Sequence, residues 1–166
     1  MVSPVGPLLI GASERGLVCV QFGERPPATL AGAKAEWRES AAQTAHYVAE
    51  LEQYFARQRR TFSMALDLRG TDFQKRCWKA LLQIPYGETR TYADIARAVG
   101  SPHAFRAVGL ANHDNPLAIV VPCHRVLASD GSLCGYGGGL DVKRRLLELE
   151  GASAVRSLFA AAEAGT

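Results

Sequence analysis

The chain has 166 residues, 48% of them hydrophobic, and 19 Lys and Arg against 16 Asp and Glu give a formal net charge of +3. That content is enough for one ordinary domain or two small ones around an apolar core, and it argues against a disordered chain. No apolar run approaches the roughly 20 residues that cross a bilayer. The four cysteines (Cys19, Cys77, Cys123, Cys134) are far apart and form no C-x-x-C pair, which argues against a disulfide framework and against a Cys-rich zinc site. The segment Met1–Pro7 lacks the basic start of a signal peptide, so a cytoplasmic protein is expected. Charge of this size permits nucleic-acid binding without arguing for it; a DNA role must come from a local surface.

Pro7–Ser13 and Leu17–Phe22 are apolar runs joined by Glu14-Arg15-Gly16, the pattern of a β-hairpin with Cys19 in its core. A loop follows from Gly23 to Pro27. Ala31 to Arg60 is rich in Ala, Glu, Gln and Arg, and Ala45, Val48, Leu51, Tyr54 and Phe55 recur at three- and four-residue steps. This predicts a long amphipathic helix with Arg57–Arg60 at its C-terminal end. Phe62, Met64, Leu66 and Leu68 alternate with polar residues and predict a strand. Residues 1–68 thus read as a small α/β support domain, without a nucleophile, metal constellation or phosphate loop.

Arg69-Gly70 reads as a linker into a second domain over 71–151. Thr71-Asp72 opens a helix whose inner face carries Phe73, Cys77, Leu81 and Ile84, with Trp78 beside it. A short helix over Thr91–Gly100 follows. A second is predicted with Ser101 as N-cap and Pro102 at the first helical position, running to Asn112. Two short helices around a tight Gly-containing turn predict a helix-turn-helix, whose second helix faces DNA. That helix is dense in small residues (Ala104, Ala107, Gly109, Ala111), which permit close backbone approach, and it carries one long cation, Arg106, able to enter a base stack.

Leu117–Val121 reads as a buried strand ended by Pro122. Cys123 stands at that end with His124 and Arg125 directly after it. A thiolate nucleophile needs such neighbours, whereas a structural cysteine sits among apolar residues. The Gly-rich stretch Leu127–Gly139, with Tyr136 among its glycines, reads as a pocket wall and lacks the ending of a phosphate loop. Asp141–Gly151 is the last helix, with Val142, Leu146, Leu147 and Leu149 inward and Lys143-Arg144-Arg145 outward, either touching phosphates or simply solvated. Residues 152–166 read as an Ala-rich tail.

Pro122-Cys123-His124-Arg125-Val126, after Asn115-Pro116 and an apolar run, resembles the acceptor motif of the O6-alkylguanine-DNA alkyltransferases, the methylated-DNA–protein-cysteine S-methyltransferases. The resemblance is close from Asp67 to about Gly151 and loose over the N-terminal unit, which looks like the family's ribonuclease-H-like domain. It implies a mixed α/β (α+β) fold: that small domain, then a mainly helical domain in which a short strand leads to the active cysteine. It implies single-turnover repair of double-stranded DNA, by transfer of the alkyl group of O6-alkylguanine to Cys123 after minor-groove binding and base flipping; O4-alkylthymine is left open.

By the same resemblance, His124 is a water-linked base, Glu150 the carboxylate that orients it, and Asn115 a hinge between recognition helix and cysteine. Tyr92 contacts the flipped nucleotide, and Arg106 is the finger that fills its place. Val126 (through its carbonyl), Tyr136 and the position of Gly137 form the base pocket, with Arg125 tying the motif to its surroundings. Human-type members carry a serine where this chain has Gly137, which leaves only a backbone N–H for the guanine oxygen. The zinc ligands of some members are missing, so no metal and no cofactor are expected; a monomer is expected, with cooperative assembly on DNA left open. Three other readings compete: an alkyltransferase-like binder, which would carry tryptophan at the position of Cys123; a dimeric helix-turn-helix regulator; and a thiol hydrolase, which would need an oxyanion hole.

Overall fold

The computed structural model describes residues 1–26, 29–30, 33–34 and 36–152; the expected tail beyond Ala152 lies outside the described residues. Three antiparallel strands open the chain in the order β1 (Val2–Ser3), β2 (Gly6–Ser13), β3 (Gly16–Phe22). The predicted hairpin is β2–β3, with Leu8 opposite Phe22, Ser13 opposite Gly16 and a bulge at Gly11/Ala12. Cys19 is fully buried in it, and burial pushes its thiol up to about 12.

The long helix expected from Ala31 is shorter. A hairpin of β4 (Thr29–Leu30) and β5 (Ala33–Lys34) occupies its start, and α1 runs only over Ala41–Phe55, with Ser40 as N-cap. Helix-forming composition alone does not make a helix without an apolar stripe to bury, and here the stripe begins at Tyr47. The buried face is Tyr47, Leu51 and Tyr54, whereas Ala45 is exposed. Arg57 adopts a left-handed conformation (φ 60°), so the basic run lies beyond the helix end. The strand expected over 62–68 reduces to one parallel bridge, Leu17 to Leu66. Only Ala65 and Asp67 bond to Leu17; the Ser63 N–H and hydroxyl go instead to the Glu50 carboxylate, which diverts the ladder.

The second half is mainly helical. A capping box between Thr71 and Gln74 starts α2 (Asp72–Leu81). The short strand β6 (Arg90–Thr91) leads into α3 (Tyr92–Ala98), started by a second box between Thr91 and Asp94. At its C-terminus Gly100, with φ +73°, donates to Arg97 O while Ser101 N–H reaches back to Ala96 O, a Schellman ending. Ser101 therefore closes α3 and does not cap the next helix. One more turn, Ala104 N–H to Ser101 O, separates them, and α4 runs over Phe105–His113. The predicted start at Ser101-Pro102 is corrected by that turn.

The buried strand expected over Leu117–Val121 is absent as a strand. All five residues are buried, but only Leu117 bridges, to Val20 of β3, and the chain then folds into tight turns. A one-turn 3₁₀ helix, Cys123–Arg125, comes next, and then β7 (Val126–Leu127), which pairs in parallel with β6. The strand thus follows the cysteine instead of leading to it. The last helix is α5 (Leu140–Glu150). The two halves share one core: Leu17, Val20 and Leu51 pack in the same cluster as Trp78, Val121 and Leu146. Trp78 Nε1–H donates to Ala111 O at 2.8 Å and fixes α2 against α4. Among the described residues no helix is long and apolar enough to cross a membrane.

Candidate active site

Asn115 organises the turn that presents the cysteine. Its Oδ1 accepts the Leu117 N–H at 3.0 Å, and its Nδ2 donates to Val121 O at 2.8 Å and to Cys123 Sγ at 3.1 Å. One side chain thus closes both ends of the loop, and this is why the apolar run doubles back instead of extending. Val121 N–H to Leu117 O completes the closure, and Ile119 is held at φ 73°. A β-branched residue in that region costs about 1–3 kcal/mol and persists only when its surroundings over-determine it. The loop is also tied to the N-terminal sheet, by Val20 N–H to Pro116 O and Ala118 N–H to Val20 O.

Behind the thiol lies a buried ionic cluster. His124 Nε2 is 2.8 Å from Glu150 Oε1. Arg125 grips the same carboxylate with Nε on Oε2 (2.8 Å) and Nη2 on Oε1 (2.9 Å), while its Nη1 donates to Ile84 O. Gly87 N–H adds a bond to Oε2 at 3.2 Å, and the Tyr54 hydroxyl donates to Oε1 at 2.7 Å. The turn at Gly87 (φ +80°) must be glycine here, since a Cβ would stand 2.9 Å from Glu150 O. Burial opposes the Glu150 charge, but hydrogen bonds from His124 and Arg125 and the Arg125 charge outweigh it and hold the carboxyl far below its usual range. Burial lowers the His124 pKa against the pull of Glu150, so the ring is neutral at pH 7. Its Nδ1 is buried and has no protein partner. Burial also raises the Cys123 thiol, opposed by the Asn115 N–H and the Lys143 charge. At rest the site therefore holds a protonated thiol, a neutral imidazole and a charged carboxylate. It can make a thiolate by moving one proton inward.

A cavity of about 170 Å³ opens onto Cys123, lined by Asn112, Asn115, Tyr136 and Gly137 and, from β3, by Gln21 and Phe22. A larger one, about 470 Å³, lies between α3, α4 and the start of the Gly-rich loop, lined by Tyr92, Phe105, Gly109 and Ala128. Tyr92 belongs to the second cavity. Burial raises its phenol pKa, and so do Cys134, to which it bonds, and Cys123. The expected pocket is thus divided: Asn115, Tyr136 and Gly137 border the thiol, whereas Tyr92 lines the neighbouring groove.

On α4, Arg106 and Ala107 are exposed and Gly109 is half-buried, as is the N-cap residue Ala104. Phe105 and Leu110 are large and solvent-facing, 48% and 61% exposed, beside them. Ala111 is a correction: it is buried, and its carbonyl accepts the Trp78 Nε1–H of α2. Lys143 is another. Expected to point outward, it is fully buried, because 143 falls in register with Leu146, Leu147 and Glu150 on the inner face of α5. Its Nζ donates to Val126 O (2.6 Å) and to Cys134 O (2.7 Å). The Val126 carbonyl expected to meet a base is therefore bonded to Lys143, and Val126 itself is fully buried. The residues that pattern reading missed (Tyr54, Lys143, Phe22 and the Gly87 N–H) are far from the motif in sequence. Only the helical register of Lys143 carried a signal that could have found it.

Two family models match the chain: the ribonuclease-like domain of 6-O-methylguanine DNA methyltransferase over residues 1–68, and the DNA-binding domain of the same family over 72–152. A methylated-DNA–protein-cysteine methyltransferase of Methanosarcina barkeri is 49% identical over 153 residues, covering 89% of this chain and 92% of that protein. One from Mycobacterium tuberculosis is 50% identical over 148 residues, covering 89% and 88%. The crystal structure of Mycobacterium tuberculosis OGT in complex with DNA matches with a TM-score of 0.82 at 49% identity, covering 96% of each chain. Identity at this level, over both matched regions and nearly the whole length, establishes that the chain belongs to the methylated-DNA–protein-cysteine methyltransferase family.

Proposed function

We propose that this chain repairs double-stranded DNA by taking the alkyl group of O6-alkylguanine onto Cys123, once per molecule. The observation that carries the reading is the buried Cys123–His124–Glu150 arrangement, with a thiol opening onto a cavity beside α4. The thiol proton passes through water to His124, whose charge Glu150 balances. The thiolate attacks the alkyl carbon, an S–C bond forms, and the C–O6 bond breaks with its electron pair left on guanine. Tyr92 donates to that departing anion. The thioether product has no residue to cleave it, so the reaction is stoichiometric and needs no cofactor.

A base in duplex cannot reach a cysteine only 6% exposed, so it must leave the stack, at a cost of a few kcal/mol that is least for a badly paired base. Exposed Arg106 fills the vacancy, and Ala104, Ala107 and Gly109 let α4 approach the minor groove. Asn115 holds the thiol, and Tyr136 and Gly137 border the lesion. Residues 71–151 bind DNA and accept the alkyl group, and residues 1–68 support them through the shared core. The protein works as a cytoplasmic monomer.

Intact mass after incubation with a duplex carrying one O6-methylguanine tests this. The expected gain is one methyl on wild type and none on Cys123→Ser. Unchanged wild-type mass, with tight binding to one sequence, would favour a regulator instead.

A further inference from the structure

The Glu150 carboxylate accepts five hydrogen bonds, more than the roughly four lone-pair sites a carboxylate offers. Three of them converge on Oε1: His124 Nε2, Arg125 Nη2 and the Tyr54 hydroxyl, the last at 2.7 Å, the shortest of the five. Tyr54 lies 96 positions away, on α1 of the N-terminal half, and is fully buried. Its ring is locked in place, packed against Phe55, Phe62 and Tyr86 at 5.3, 5.5 and 6.0 Å. Tyr86 also lies under the Arg125 guanidinium, so one aromatic cluster fixes two of the groups that bond this carboxylate. Burial and the Glu150 charge raise the Tyr54 pKa well above the usual phenol value, so the hydroxyl remains a donor at every working pH.

The three donors on Oε1 compete for the same charge. Whatever density the phenol draws from Oε1 is withheld from the imidazole. We infer that Tyr54 is a positioning residue of the acceptor relay, tuning how strongly Glu150 holds a proton on His124, so that the N-terminal unit takes part in the chemistry. This rests on the reading of Cys123 as the alkyl acceptor. The ring must be neutral to receive the thiol proton, and an unmoderated carboxylate would keep it protonated to higher pH. Tyr54 thereby keeps the base available on the acid side of neutrality.

The test is the acid limb of the rate of methyl transfer from a duplex containing one O6-methylguanine, followed by intact mass from pH 5 to 9. Tyr54→Phe keeps the ring and removes the donor, and it should move the limb up by about one pH unit, the scale of one lost hydrogen bond to a charged group. Replacement of Tyr54 by 3-fluorotyrosine, a stronger donor with the same packing, should move it down. Phe62→Leu loosens the same cluster without touching Glu150; it should lower the melting temperature and leave the limb in place. A limb unmoved by both Tyr54 replacements, or moved equally by Phe62→Leu, would overturn the inference and leave Tyr54 a packing residue. Site-resolved alkylation of Cys123 by iodoacetamide over the same pH range reads the relay without DNA. Failure of the repair reading, seen as no methyl gained by wild type at any pH, is thereby kept apart from failure of the Tyr54 role.

Discussion

Replacing Glu150 by glutamine is the most demanding test of the buried cluster. The side chain keeps its shape but loses its charge, and one of its two oxygens becomes an N–H₂ group. Whichever way the amide turns, donors meet a donor: Arg125 Nε and Gly87 N–H on one side, or Tyr54, His124 and Arg125 Nη2 on the other. Arg125, with its side chain 7% exposed, is left charged without a counter-ion. Removing one partner of a buried pair costs about 3–5 kcal/mol, because the remaining charge has no compensation. Against a typical total of about 5–15 kcal/mol, that is a large fraction of the stability. Urea unfolding of Glu150→Gln should show an unchanged slope and a midpoint lowered by roughly 1–5 M, given slopes of about 1–3 kcal/mol/M. The double variant Arg125→Met/Glu150→Gln should recover much of the loss, since no buried charge then lacks a partner. A single variant within about 1 kcal/mol of wild type would refute the argument, because water would then have to reach and solvate Arg125, contrary to its burial.

Acid should destabilise the fold before most surface carboxylates protonate. Unfolded His124 binds a proton near 6.5 and unfolded Glu150 near 4.5, whereas both are held lower in the fold, so the unfolded state binds more protons and stability falls with pH from about 6.5 downward. Urea midpoints at pH 7 and pH 5 measure this, and Tyr54→Phe should shrink the His124 part of the difference. Gly138→Ala should slow methyl transfer: its Cβ would stand 2.7 Å from Phe22 Cε2, so the Phe22 ring and the Gly138 backbone must move apart and disturb the cavity wall at Phe22, Tyr136 and Gly137, and Phe22→Leu in the same chain should restore the rate. Arg106→Ala should reduce transfer from duplex DNA at least tenfold while leaving transfer from free O6-benzylguanine within twofold, as expected of an exposed residue of α4 that does not line the Cys123 cavity; equal losses on both substrates would remove Arg106 from base extrusion.

How much could be read directly from the chain depends on the range of the interactions. The helix starts at Thr71 and Thr91 were legible because a capping box is made between residues three apart. The β2–β3 hairpin was legible for the same reason. The Cys123-His124-Arg125 cluster stands out by its chemistry, a thiol beside a base and a cation, and the geometry brings these residues to Asn115 and Glu150. Local pattern failed where a side chain overrides it. Leu117–Val121 has the composition of a strand, yet the Asn115 amide caps both ends and turns it into a loop. Ser101-Pro102 looks like a helix start, yet Ser101 is used to end α3.

The sequence by itself determined the β2–β3 hairpin, the starts of α2 and α3 and the placing of the Cys123 thiol beside His124 and Arg125, because these follow from residue type and from spacings of one to four positions. Only the tertiary structure decided what surrounds that thiol. Tyr54 reaches Glu150 across 96 positions, Phe22 of the N-terminal sheet borders the cavity, and Lys143 turns inward to two carbonyls. The physical reason is burial. A charge or hydroxyl removed from water must find its partner wherever the packed core supplies one, and that choice is made by the whole fold.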